Sequence, residues 1–79
     1  MKFNYGKLKG KIREVCGSQE AFASDITVSG ASLSKKLNNH TQFTPSEIMK
    51  SIEVLNLKPE EVHTYFFALE VQKTEQKEG

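Results

Sequence analysis

The strongest constraint on this fold is the narrow gap between two short apolar stripes. Phe22, Ala23 and Ile26 recur at the steps of three and four that share one helical face, and Leu33 and Leu37 lie one turn apart. Between the stripes stand Thr27, Val28, Ser29 and Gly30. Two β-branched residues and a glycine there disfavour helix continuation, and Ser29 can cap a new helix. A turn of three or four residues is too tight for antiparallel packing, so two short helices must cross steeply. Ala23 supplies the small side chain such a crossing needs, with Phe22, Ile26, Leu33 and Leu37 as anchors.

Three more helices flank this pair. Tyr5, Leu8, Ile12 and Val15 define a first helix over about residues 5–16, with Asn4 to cap it and Gly17 to end it. Ser18 caps the second helix, and Asn38-Asn39 stops the third, which begins at Gly30. Thr44-Pro45-Ser46-Glu47 is the sharpest local signal: a threonine cap, proline at the first helical position, and glutamate three residues after the cap. Ile48, Ile52 and Leu55 follow on one face. After an Asn56-Leu57-Lys58 turn, Pro59-Glu60-Glu61 opens a fifth helix, with acids near its positive end and a stripe of Val62, Tyr65, Phe66 and Leu69. No strand, repeat or low-complexity run is suggested. Residues 1–71 read as one domain and 72–79 as a polar tail without an apolar anchor, expected to be disordered.

A chain of 79 residues is too short for two cores. At 37% hydrophobic and 27% charged it has the composition of an ordinary globular domain. No run approaches the ~18 apolar residues of a membrane span and the N-terminus has no signal-peptide stretch, so a cytoplasmic location is expected. Cys16 is the only cysteine, which excludes an internal disulfide and suits a small buried apolar group.

The net charge of +1 conceals an asymmetry. Residues 1–50 carry eight Lys/Arg against four acids, giving +4, whereas 51–79 carry three lysines against six glutamates, giving −3. A basic first half is compatible with a nucleic-acid face, although such charges also simply solvate helix surfaces.

Five short helices in this order form an all-α layout with a helix-turn-helix. The stretch from Gln19 to Asn39 resembles the Cro/repressor-like (XRE-type) helix-turn-helix family, which contains phage repressors, through Gln19, Phe22-Ala23, Val28, Ser29 and Leu33. The whole format, including Tyr65-Phe66-Phe67, is similar to small phage or prophage regulators. The resemblance implies a five-helix lambda-repressor-like domain that binds double-stranded DNA and regulates transcription, with residues 29–38 in the major groove. This chain departs from the family at Thr27, where glycine is usual, and at Leu37-Asn38-Asn39. Threonine in a left-handed conformation costs roughly 1 kcal/mol or more, so a different turn geometry is expected.

The positions that the resemblance turns toward base edges are Gly30, Ala31, Ser32 and Lys35. Lys35 is the expected main reader and Ser32 a secondary one, while Ala31 can touch only a thymine methyl. Phosphate contacts are expected from Gln19, Ser29, Lys36, Asn38, Asn39 and Thr41. Read structurally, Ser29 is only a cap and Lys36 only a solvated charge. The short side chains also fit an alternative, a helix-turn-helix module that binds a protein, such as a transcription cofactor or an antitoxin-like partner.

Such proteins usually pair across a two-fold axis. Phe67 lies off the stripe of the fifth helix, so Phe67 and Val71 are expected at a homodimer contact. No catalytic constellation emerges. His40 and His63 lack partners at metal-ligand spacing, and Ser29-Gly30-Ala31-Ser32 matches neither a nucleophile elbow nor a phosphate loop. A non-enzyme without metal, cofactor or small-molecule substrate is expected.

Overall fold

A computed structural model describes residues 2–70. Val71 and the expected tail over 72–79 lie outside the described residues. Among those described, the chain forms five α-helices and no strand: α1 (Gly6–Cys16), α2 (Gln19–Asp25), α3 (Gly30–Leu37), α4 (Pro45–Leu55) and α5 (Val62–Phe66), the last entered through a 3-10 turn over Pro59–Glu61. The all-helical expectation holds.

Local capping sets most of the boundaries. The Asn4 carboxamide accepts the Gly6 N–H at 2.9 Å, so it satisfies a donor of the first turn although Tyr5 occupies the cap position. Ser18 Oγ accepts the Ala21 N–H and Ser29 Oγ the Ser32 N–H. At α4 the expected reciprocal box is complete, with the Thr44 hydroxyl on the Glu47 N–H and the Glu47 carboxylate on the Thr44 N–H.

Leu8, Ile12, Phe22, Ala23, Ile26, Leu33, Leu37 and Leu55 form the buried core, joined by Tyr5, Phe43, Leu57 and Phe66. The aromatic rings pack edge to face, with Tyr5 and Phe43 centroids 5.6 Å apart and Phe43 and Phe66 5.3 Å apart. Each such pair adds about 1 kcal/mol beyond its area. Ser51, fully buried on α4, donates its hydroxyl to the Glu47 carbonyl at 2.8 Å and so leaves no polar atom unsatisfied.

Three expectations are corrected. Val15 is 46% exposed, because Cys16, four residues after Ile12, takes the inner position at the end of α1. Cys16 is itself only half-buried; burial and the neighbouring Asp25 carboxylate push its thiol pKa up. The fifth helix ends at Phe66, and Leu69 is 50% exposed rather than part of its stripe. Beyond Phe66 the backbone turns to meet the N-terminal segment. Phe3 and Leu69 form an isolated antiparallel bridge, the Asn4 N–H donates to the Ala68 carbonyl and the Glu70 N–H to the Lys2 carbonyl. Pairing across the whole length of the chain leaves no trace in helical periodicity.

Candidate functional site

The candidate interaction face is built from α2, the turn over 26–29 and α3. The turn keeps the left-handed geometry that was expected to be avoided, since Thr27 has φ 61°. Its cost is offset locally. The Thr27 hydroxyl donates to the Ile26 carbonyl at 2.6 Å and accepts from Lys50 Nζ at 2.8 Å, while the Val28 N–H returns to the Ala23 carbonyl. Lys50, on α4, therefore braces the turn from outside. No local window of sequence shows this contact, because 23 residues separate the two partners.

Along α3, Gly30, Ala31, Ser34 and Lys35 are exposed and Ser32 is half-buried, so the residues expected to face a groove do lie on an accessible edge. Gln19, Ser29, Asn38 and Thr41 are exposed as well. The Ser29 hydroxyl is engaged as a cap, and the Asn38 amide folds back onto the Ser34 carbonyl at 2.9 Å.

Two expected phosphate contacts are corrected. Lys36 is only 7% exposed; its ammonium lies 3.2 Å from Glu47 and donates to the Gln42 carbonyl, so it fastens α3 to the start of α4. Its position three residues after Leu33 places it on the inner edge of the helix, a signal that was available in the spacing. Asn39, at φ 65°, binds the Phe3 backbone on both sides, accepting its N–H and donating to its carbonyl, each at 3.0 Å. Neither side chain is available to DNA.

What remains on α3 is electrically mixed. Lys35 is its single exposed cation, and at the other end the Glu20 side chain stands 3.9 Å from where a Cβ on Gly30 would lie. The exposed α1 cations Lys7, Lys9 and Arg13 belong to a different element. Phe67 is 41% exposed and its ring packs edge-on against Phe3, with centroids 5.8 Å apart. Met49, which the sequence reading did not single out, is 68% exposed on α4. Among the described residues no three His, Cys, Asp or Glu side chains converge as a metal site would need, and no helix is long and apolar enough to cross a membrane.

A family profile described as "Protein of unknown function (DUF739)" matches residues 1–69. The chain belongs to the DUF739 family. It is also similar to the solution structure of the modulator of repression of the temperate bacteriophage TP901-1 from Lactococcus lactis. The two are 39% identical, with a TM-score of 0.74, and the match covers 91% of this chain and 97% of that one. No curated protein matches. The expected likeness to a small phage regulator is thereby upheld.

Proposed function

We propose that this chain is a phage-type regulator that modulates repression, and that α2, its turn and α3 act as a helix-turn-helix contacting another protein of the genetic switch. The observation that carries the regulatory role is the near full-length similarity to a phage modulator of repression. The mode of action is supported by the chemistry of α3. Gly30, Ala31 and Ser32 have little reach, whereas Arg, Asn or Gln would make bidentate base contacts. Two of the six expected phosphate contacts are bound internally, and the side chain of an acidic residue, Glu20, stands beside the N-terminal end of α3. A small-residue edge with one cation fits the close approach of a partner surface better than it fits a polyanion.

A second reading, direct binding of duplex DNA, is favoured by the exposed positions of Lys35, Gln19, Ser29, Asn38 and Thr41 around α3. In that reading Lys35 reads a base and the others hold phosphates. Phe67 is further proposed to contact a second copy of the chain, supported by its exposed ring. A sedimentation mass that stays monomeric at micromolar concentration would remove the homodimer.

A reporter under a repressed phage promoter tests the regulatory role. Expression of this chain should change the output several-fold, and an unchanged output would sink the proposal. Salt titration of binding to a mixed-sequence duplex separates the two modes. A protein-directed regulator gives weak binding, whereas a DNA binder gives tight binding that falls with a log–log slope of roughly one per phosphate contacted.

A further inference from the structure

A cleft of about 350 Å³ opens between α1 and the start of α2. Lys9 and Arg13, one turn apart along α1, line it together with Ile12, Gly17, Gln19 and Glu20. No carboxylate of the described residues comes within 4.0 Å of either cation, since Lys36–Glu47 is the one ion pair among them. Gly17 stands at φ 88°, and a Cβ there would meet nothing within 4 Å, so that side of the cleft stays open.

We propose that this cleft receives an acidic side chain of a protein partner. The inference rests on the protein-contact reading above and names the chemistry of one contact. A guanidinium binds a carboxylate through two parallel N–H donors, and an ammonium one turn away adds a second charge of the same sign. Ile12, 1% exposed, closes the floor of the cleft from the core side, so the hydrocarbon stems of Lys9 and Arg13 supply what apolar surface a ligand would touch. Lys9 and Arg13 against the one carboxylate of Glu20 leave the lining of the cleft net positive, which suits a single acidic side chain. A duplex, with one charge per about 1.7 Å of axis, would press further phosphates against that glutamate.

The test uses the full chain, labelled with nitrogen-15. It is titrated with a capped Leu-Asp-Glu-Leu peptide, with the matching Leu-Asn-Gln-Leu peptide, and with a mixed-sequence DNA duplex. The acidic peptide is expected to shift the amides of Arg13, Gly17 and Gln19, and the amidated peptide to leave them in place. Arg13→Glu should weaken the acidic peptide about fivefold, as loss of a partly exposed ion pair does, and Lys9→Gln should weaken it less. Unmoved amides in the acidic titration overturn the proposal, as does a duplex that shifts the same amides more strongly than the peptide. Both residues are exposed or half-exposed on α1, so folding is preserved, and the amide spectrum of each variant checks this directly. If the peptide fails while the chain still alters the reporter, the cleft is wrong and the regulatory reading stands. If the reporter fails while the amides shift, the reverse holds.

Discussion

A single carboxylate oxygen of Glu47 serves two elements at once: it accepts the Thr44 N–H at 2.9 Å, closing the cap of α4, and lies 3.2 Å from the Lys36 ammonium of α3. The angle at which α3 is held is therefore coupled to the start of α4 through one charge. Burial raises the pKa of that carboxyl, but the Thr44 hydrogen bonds and the Lys36 ammonium together outweigh it, and the net value is lowered.

A lowered folded-state pKa means that the unfolded chain takes up the proton first as acid is added. The stabilisation from Glu47 is thus complete above the ordinary glutamate range and is lost as pH falls through the lowered value. Glu47→Gln keeps an oxygen for the Thr44 N–H but leaves the Lys36 charge without its partner. It should cost about 2 kcal/mol at neutral pH, with the deficit shrinking in acid. Glu47→Ala should cost about 1 kcal/mol more through loss of the cap. Urea denaturation at neutral and acid pH measures both. An equal deficit at the two pH values would show that the ion pair contributes nothing.

The Thr27 turn separates strain from bonding. Thr27→Val keeps the shape and the left-handed backbone but removes the hydroxyl that joins Ile26 to Lys50, and should destabilise by about 1–2 kcal/mol. Thr27→Gly loses the same bonds but relieves the backbone, so its net effect should stay within about 1 kcal/mol. If valine proves as stable as threonine, Lys50 is not bracing the turn.

These residues also mark how far the sequence could be read. Ser18, Ser29 and Thr44 with Glu47 were legible as caps because each acts within three residues of itself, and the stripes of α2, α3 and α4 were legible because the core lies on one side of each. Lys36 is expected in solvent as a charged residue, although the helical period already puts residue 36 beside Leu33 and Leu37 on the inner edge of α3. The shortened α5 and the role of Asn39 follow from pairing between residues 2–4 and the later chain, which no local window contains. For the site, the exposed edge of α3 was anticipated. The charge beside it at Glu20 and the brace from Lys50 depend on packing between elements.

Asn39 offers a sharp test of that long-range pairing. Asn39→Ala removes both bonds to the Phe3 backbone and places an alanine at φ 65°, so a loss of about 2–3 kcal/mol is expected. Asn39→Gly tolerates the backbone angle and should lose about 1 kcal/mol less. In both variants hydrogen exchange at the Phe3 and Asn4 amides should accelerate first. Unchanged protection there would mean that the pairing with residues 68–70 and the Phe3 ring hold the N-terminal segment without Asn39.

Ala31 distinguishes the two ways in which α3 could work, because one substitution drives them in opposite directions. The side chain is exposed near the N-terminal end of the helix, so Ala31→Arg fits the fold without strain and should change stability by less than about 0.5 kcal/mol. Against DNA the new guanidinium supplies the long donor that this edge lacks, and duplex binding should strengthen about tenfold with a steeper salt dependence. Against a protein surface the same side chain fills the space left by three small residues, and modulation of the reporter should fall about tenfold, the usual consequence of overfilling a packed contact by one or two kcal/mol. A variant that binds DNA more tightly and modulates more strongly would transfer the function of α3 to the double helix. Tighter DNA binding with lost modulation leaves the protein contact as its working surface.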